Sequence, residues 1–456
     1  MTKTKPFKFQ KAGVVLIDQF NGRVILADQM GLGKTLQALL YLQNYRNKCP
    51  AIVVCPSTAK WVWMGQAKEH VGMKSRIING RQAKKLKTER SLIIINYEIL
   101  EAWVSVLKKL KPKTIILDEC HYIKNSKAFR TKAVQALCKN VPHIIAISGT
   151  PIVNRPKEAY NTLKILDPIK WKYYVSYAEK YCDRKISYWS GGWDDTGCSN
   201  PKTLGKLLKR TCMIRRLKKD VLKELPPKTR VVIPLPLSNP KEYVKAESNF
   251  IGWLKEAAPE KVAGAMKAMQ LVKVGALLTL AAQLKMKSVL TWIGDFLEES
   301  DEKLVLFAEH KIIIKELYDH YSKISVKLDG STPQKKRKSV VEQFNDNKKT
   351  RIFIGNIIAA GTVISLKAST LAFVEMNPVP GNHTQAEDRI HGIGRGTKKN
   401  ALIYYLVTKG TIESDLCKII QHKAKVISAI IDGGDKTSEL NVYNKLMKLI
   451  SKRNLL

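Results

Sequence analysis

The sequence predicts an α/β protein: two parallel-sheet lobes with helical insertions between them. Three observations carry that reading. The chain has 456 residues, about three times the roughly 150 that serve as a prior for one domain. Short apolar, β-branched runs alternate with helix-like segments in its first third, the signature of strands buried on both faces. The same rhythm stops, and then resumes beyond residue 300.

In chain order, the first lobe (residues 1–166) carries the runs VILA (24–27), AIVVC (51–55), SLIII (91–95), TIIL (114–117) and HIIAIS (143–148). From about 168 to 230 the text turns aromatic, glycine-containing and basic, ending in PPK at 226–228. Residues 237 to about 300 read as helical throughout. The stretch 167–300 is therefore expected to be an insertion and helical linker. A second lobe (301–432) comes next, with the runs KLVLFA (303–308), ISVKLDG (324–330), TRIFIGN (350–356), TLAFVEM (370–376) and ALIYYLV (401–407). A helix after Gly410 leads to a basic tail (433–456) broken at Gly433 and Gly434. No internal repeat of short period is evident.

Lys plus Arg number 79 against 39 Asp plus Glu, a formal charge of +40. A chain so charged repels itself unless a polyanion is often nearby, which makes nucleic acid the leading partner. Usage is globular, 45% hydrophobic and 26% charged. The eight cysteines form no C-x2-C pair and have no histidine at zinc spacing, so neither a structural metal nor a disulfide framework is indicated. Together with the lack of a signal-like N-terminus and of a long uncharged apolar run, this predicts a protein of a reducing cytosol. A bacterial or phage-infected cytoplasm, with no membrane partner, is the expectation.

The most specific local signal is Ala27-Asp28-Gln29-Met30-Gly31-Leu32-Gly33-Lys34-Thr35, lying between a strand and a helical run. A loop opening a helix presents unpaired N–H groups and the positive end of the dipole to phosphate. Gly31 and Gly33 let the backbone approach, Lys34 can reach the β- and γ-phosphates, and the Thr35 hydroxyl can ligate Mg²⁺. The strict P-loop pattern wants Gly where Asp28 stands. Asp118 and Glu119 end the strand TIIL. A carboxylate there is placed to hold Mg²⁺, and its neighbour to orient and deprotonate an attacking water. ATP and Mg²⁺ are the expected cofactors.

With these motifs and others in order over about residues 6–420, the chain resembles the Swi2/Snf2-type, helicase-like ATPases of superfamily 2, closest to their annealing-helicase or fork-remodelling branch. That family's phosphate loop reads A-D-x-M-G-L-G-K-T, so Asp28 agrees with it. The resemblance implies two RecA-like lobes with ATP between them. It assigns nucleotide binding to Gln10, within the Q-motif-like PFKFQKAGV, and to Asp28, Met30, Gly31, Leu32, Gly33, Lys34 and Thr35, with Phe7 or Phe9 packing near the adenine. It also implies DNA contacts at Ser57, Trp63, Asn96 and Tyr97 (motifs Ia and Ib) and at Lys124 and Asn125 of DECHYIKN, and a coupling motif at Ser148-Gly149-Thr150-Pro151.

The segments 181–200 and 214–228 carry the likeness to the fork-remodelling branch. Independently of family, residues 202–223 hold nine Lys/Arg (among them Arg215, Arg216 and Lys218) against one acid, Asp220, with an apolar stripe from Leu204 to Leu225. One face is expected to pack and the other to track phosphates. In the second lobe, Ser331, Thr332 and Arg337 stand at a helix start flanked by Lys335 and Lys336, with Thr332 as N-cap and Pro333 as first helical residue. Gly361 and Thr362 match motif V, although Val363 and Ser365 depart from it. QAEDRIHGIGR (385–395) resembles motif VI and makes Arg389 an arginine finger. The second finger's position is Gly392, and Arg395 is expected to stand in for it. Pro378 also replaces the family's Trp before the PG pair.

The expected function is DNA-stimulated ATP hydrolysis driving translocation on duplex, forked or branched DNA, with annealing, fork reversal or branch migration as outcome. The alternatives are an RNA-directed helicase or restriction-type translocase, and a non-hydrolysing DNA-binding scaffold. Because the sequence starts at the Q-motif-like segment, the family's accessory DNA-binding modules and nuclease are expected to be absent. Protein partners are unknown from the sequence.

Overall fold

The computed structural model describes residues 4–83, 86, 92–187, 192–222, 224, 228–250, 269–358, 365–391 and 400–432. The motif V residues Gly361 and Thr362, the motif VI positions Gly392 and Arg395, Lys223 of the basic run and the tail 433–456 lie outside them. The chain divides into two compact units, Met1–Leu225 with Lys425–Leu440, and Pro226–Ala424 with Asn441–Leu456.

The first unit is built on β1 (Arg23–Leu26), β2 (Ala51–Cys55), β3 (Ser75–Ile77), β4 (Leu92–Asn96), β5 (Thr114–Asp118) and β6 (His143–Ile147), with a small antiparallel hairpin of β7 (Lys185–Ile186) and β8 (Trp193–Asp194), and β9 (Met213–Ile214). Seven of these strands form one parallel sheet in the order β3-β4-β2-β5-β6-β1-β9. Alternate residues of each strand point to opposite faces. Ile25, Ile52, Ile93, Ile115 and Ile144 enter one core, while Val24, Val53, Ile94, Ile116 and Ile145 enter the other. Both faces are covered by helices, which is why these strands read as continuous apolar runs.

The second unit holds β10 (Lys228–Leu235), β11 (Leu304–Ala308), β12 (Ser325–Leu328), β13 (Ile352–Asn356), β14 (Thr370–Phe373) and β15 (Ala401–Thr408). All its pairings are parallel, in the order β10-β15-β14-β11-β13-β12. Two of its cores are again split by strand parity, with Leu304, Leu306, Ile352 and Ile354 on one side and Val305, Phe307, Phe353 and Phe373 on the other.

All ten strands expected from the apolar runs are present, and the two parallel sheets match the expected fold class. Three strands of these two sheets are additional, as are the two of the β7–β8 hairpin. β3 and β9 have three and two residues, too few to show a period. β10 contains Pro234 and is half exposed, because it lies at a sheet edge where a missing N–H is tolerated. The stretch expected as one insertion and linker is thereby divided: residues up to Leu225 pack with the first unit, and those from Pro226 with the second. Among the described residues no helix is long and apolar enough to cross a membrane.

Candidate active site

In a parallel α/β sheet the carboxyl ends of the strands gather the loops that bind ligands. The loop after β1 turns into the helix Lys34–Asn44 through Gly31 and Gly33, both left-handed at φ 82° and 71°, a conformation in which a side chain would be strained. Gly33 is also in close contact: a Cβ there would lie 2.4 Å from Gln10 Nε2. Lys34 Nζ donates to the carbonyl oxygens of Asp28 (2.7 Å) and Gln29 (3.4 Å), so the ammonium is folded onto its own loop. Gln10 is buried; its amide donates to Leu32 O at 3.2 Å and its carbonyl accepts from Phe7 N–H at 3.0 Å. The Q-motif-like segment therefore packs directly against the phosphate loop.

Asp28 does not line the loop's outer face. It is fully buried, and its carboxylate receives Arg216 through Nε (3.0 Å), Nη2 (2.8 Å) and the backbone N–H (3.0 Å), plus Gln37 Nε2 at 3.0 Å. Arg216 also donates to Phe9 O and Gln37 Oε1 and lies over the Phe9 ring at 5.6 Å. This corrects the expectation for both residues: Asp28 anchors the loop, and Arg216 braces it instead of tracking DNA. Arg215 donates to Ala27 O, Gly149 O and Asp432 Oδ1, and Lys218 is buried with its N–H on Gln29 Oε1. None of the three presents its cation outward. The reason is β9, which adds to the sheet edge beside β1 and delivers residues 215–218 to the phosphate loop. The basic face survives on the helix Pro201–Thr211, where Leu204 and Leu208 are buried while Lys202, Lys206, Lys209 and Arg210 are exposed.

Asp118 and Glu119 stand at the end of β5. Trp63 Nε1 donates to Asp118 Oδ2 at 2.8 Å, and Tyr97 Oη donates to the Asp118 carbonyl at 2.8 Å. Trp63 is 1% exposed, Tyr97 and Asn96 are buried, and Asn96 is held by Lys60 (3.0 Å) and Glu98 (2.6 Å). These three expected DNA contacts are thus interior supports, and the correction has a legible cause. Trp63, Ala67 and Val71 recur at four-residue spacing on one buried helix stripe, which leaves Trp61 outside, 62% exposed. Ser57 is half-buried, while Lys124 and Asn125 are exposed as a nucleic-acid contact requires.

Burial first, and the Glu119 charge second, push the Asp118 carboxyl up to about 7, against the Trp63 hydrogen bond and the Lys34 charge. An Asp118 carboxyl held up in this way beside a second acid fits a divalent cation, whose charge restores the carboxylate; Asp118 and Thr35 would hold Mg²⁺, which would polarise the phosphoanhydride. Glu119 sits in the left-handed region at φ 50°, the kind of backbone strain that clusters at working sites. The Ser148 hydroxyl donates to Glu119 Oε2 (3.1 Å), accepts from Thr150 N–H (3.2 Å) and lies 3.2 Å from His121 Nδ1. Burial lowers the His121 pKa. Gly149 leaves the room this packing needs, since a Cβ would lie 2.3 Å from Met30 Cγ and 3.3 Å from Lys34 Nζ. The coupling motif therefore contacts both the phosphate loop and the acid pair.

Trp63→Phe removes the indole donor and keeps the ring. We expect it to raise the Mg²⁺ concentration for half-maximal ATP hydrolysis about tenfold, the scale of one hydrogen bond to a charged group. A metal titration of turnover checks this, and an unchanged half-point would remove Trp63 from the site.

In the second unit, Ser331 N–H and Oγ both donate to Asp329 Oδ1, at 2.8 and 2.5 Å. Thr332 Oγ1 accepts from Asp329 N–H at 3.0 Å rather than capping the helix, which runs Gln334–Asp346 with Pro333 at its cap. Arg337 folds onto this turn through the carbonyls of Thr332 and Asp329, while Lys335, Lys336 and Lys338 are exposed. Arg389 is buried, just beyond the helix Pro380–Glu387. The acids before it are clamped from β10: Arg230 donates to both oxygens of Glu387 (2.7 and 2.6 Å), and Lys228 donates to Asp388 at 2.6 Å. Sequence reading missed this cluster because β10 itself was not expected.

The chain matches the SNF2-related domain over residues 10–286 and the helicase conserved C-terminal domain over residues 285–398. It is 34% identical to SWI/SNF-related matrix-associated actin-dependent regulator of chromatin subfamily A-like protein 1 of Xenopus laevis, covering 92% of this chain and 43% of that protein. It is 31% identical to the homolog of that protein from Caenorhabditis elegans, covering 93% and 61%, and 31% identical to the DNA annealing helicase and endonuclease ZRANB3 of Mus musculus, covering 94% and 41%. The chain thus spans less than two thirds of the length of these relatives. Among solved structures it is similar to the Sulfolobus solfataricus SWI2/SNF2 ATPase core in complex with dsDNA, with 21% identity, a TM-score of 0.46 and coverage of 100% of this chain and 97% of that one. Since the SNF2-related match takes in more than half of the chain, including the phosphate loop, the acid pair and the residues that brace them, the chain belongs to the SNF2-related family of helicase-like ATPases.

Proposed function

We propose that this chain hydrolyses ATP in response to DNA, moves along the duplex, and so reanneals, reverses or migrates forked and branched DNA. The observation that carries the reading is the joining of Asp118 to Trp63 and Tyr97. The acid that would hold Mg²⁺ is bonded to the same two segments in which the family's DNA contacts lie. A shift of either segment on DNA moves the acid, which is the physical requirement for DNA to control turnover. Lys34 and Thr35 serve the phosphates, Glu119 the attacking water, and Ser148 links Glu119 to Thr150. The exposed Lys124, Lys202, Lys206, Lys209 and Arg210, with Lys335, Lys336 and Lys338 on the second unit, supply cations to a phosphate backbone.

The preference for forks rests on the likeness of residues 181–200 and 214–228 to the fork-remodelling branch and on the relatives named above. The deciding experiment is phosphate release measured across single-stranded, duplex, forked and four-way DNA and RNA. The expected order has forked or four-way DNA highest and RNA lowest. RNA as the strongest stimulator would favour an RNA-directed helicase, and no release with any nucleic acid would leave a DNA-binding scaffold.

A further inference from the structure

Lys124 comes shortly after the acid pair in the chain, and its side chain is 42% exposed. Its Nζ lies 3.6 Å from Glu158 Oε1, close enough for the charges to attract but beyond a normal hydrogen bond. The other oxygen of Glu158 is held differently. Oε2 accepts from Val153 N–H at 3.0 Å and from Asn154 N–H at 2.8 Å, and the Glu158 side chain is only 10% exposed. One carboxylate thus faces two ways. It is hydrogen-bonded firmly to the chain just past Ser148-Gly149-Thr150-Pro151, and paired loosely with a cation at the surface.

The turn that carries Glu158 is anchored apart from this contact. Within Pro156–Ala159, Pro156 O accepts from Tyr177 Oη at 2.7 Å, and Lys157 Nζ pairs with Asp195. The buried Asn161 donates to Ile123 O at 2.8 Å, which fixes the backbone next to Lys124. Glu158 therefore stays in place while the long Lys124 stem can turn. From Val153 the chain runs back to Thr150, whose N–H donates to Ser148 Oγ at 3.2 Å, and that hydroxyl donates to Glu119 Oε2 at 3.1 Å. Burial lowers the His121 pKa; the Glu119 and Glu158 charges oppose that shift, and the Lys124 and Arg130 charges add to it. Both members of the loose pair are thus felt inside the acid-pair segment.

We propose that Glu158 is a positioning residue that carries the arrival of a DNA phosphate at Lys124 to Glu119. A backbone phosphate competes with Glu158 for the ammonium, which a partly exposed pair without a hydrogen bond holds only weakly. Once the ammonium leaves, a nearly buried carboxylate has lost its counter-charge and draws harder on its two remaining N–H donors. Those donors follow the coupling motif directly, so the pull falls on the loop that orients Glu119. The inference rests on the reading that DNA stimulates hydrolysis, and it names the residue that transmits the signal.

The test is the stimulation ratio, turnover with saturating forked DNA divided by turnover without DNA, measured on the full chain beside DNA affinity by anisotropy. In Glu158→Gln the amide oxygen still accepts from Val153 and Asn154, and only the charge is lost. Its ratio is expected to fall about tenfold, within the usual range of coupling between two sites, with DNA affinity equal to wild type or higher because the anion beside Lys124 is gone. A merely structural role would lower both turnovers together and leave the ratio as it was. Lys124→Met, at an exposed position, should also lower the ratio, and the double variant should fall no further than the worse single one, since both act on one step. A wild-type ratio in either single variant would overturn the proposal, as would single effects that multiply in the double variant. Stimulation of the wild-type chain by no DNA is a separate result, which would overturn the proposed function and this inference with it.

Discussion

Glu119→Gln is expected to lower ATP turnover by about 10²–10⁴-fold, the contribution of a positioned general base, while leaving salt-sensitive DNA binding intact. The substitution keeps the side chain's length and its ability to accept from the Ser148 hydroxyl, so the network that links the acid to Thr150 is retained and only the proton acceptor is lost. Lys34→Ala should act similarly on turnover by removing the cation proposed to serve the β- and γ-phosphates. Single-turnover hydrolysis and anisotropy against a salt series check both. Loss of DNA binding in parallel, with the circular dichroism spectrum unchanged, would contradict the division of labour between these residues and the exposed basic surface.

Lys285→Ala should be the most damaging structural change in the second unit. Lys285 has no exposed side-chain surface and donates to both oxygens of Glu413, at 2.6 and 2.8 Å, and to Leu406 O at 2.8 Å. Glu413 in turn accepts from the N–H and hydroxyl of Thr408, at 3.2 and 3.1 Å. Removing the lysine leaves a buried carboxylate without its counter-charge, a change that costs about 3–5 kcal/mol. The double replacement Lys285→Met with Glu413→Leu removes both charges together and should recover most of that loss, because an apolar pair of similar volume escapes the desolvation penalty. Urea unfolding resolved into its transitions measures both variants, and a loss below about 1 kcal/mol for Lys285→Ala would show that the pair contributes little.

The strands were legible because a parallel sheet covered on both sides needs runs such as AIVVC and TIIL, whose residues are buried without exception except Asp118 at the functional end. The phosphate loop was legible for a different reason. Left-handed turns at Gly31 and Gly33, and the close approach of the Gln10 side chain to Gly33, leave little choice of residue. Trp63 was half legible, since its four-residue spacing to Ala67 and Val71 marks an inward stripe, while its bond to Asp118 joins residues 55 positions apart. The arginines were misread. A continuous helical stripe through residues 202–223 predicted outward cations, but the helix ends at Thr211 and a two-residue strand re-aims Arg215 and Arg216.

Local features could be settled in one dimension: strand runs, the glycine turns of the phosphate loop, the acid pair after β5, and an excess of positive charge. Which aromatic and basic side chains face inward was settled only by folding, because it depends on partners the chain brings together from far away. Arg216 meets Asp28 across 188 positions, and Lys228 meets Asp388 across 160. A basic residue reads alike along the chain whether it lies against water or against a buried carboxylate. The physical difference is the cost of leaving that carboxylate unpaired, which exists only once the fold has buried it.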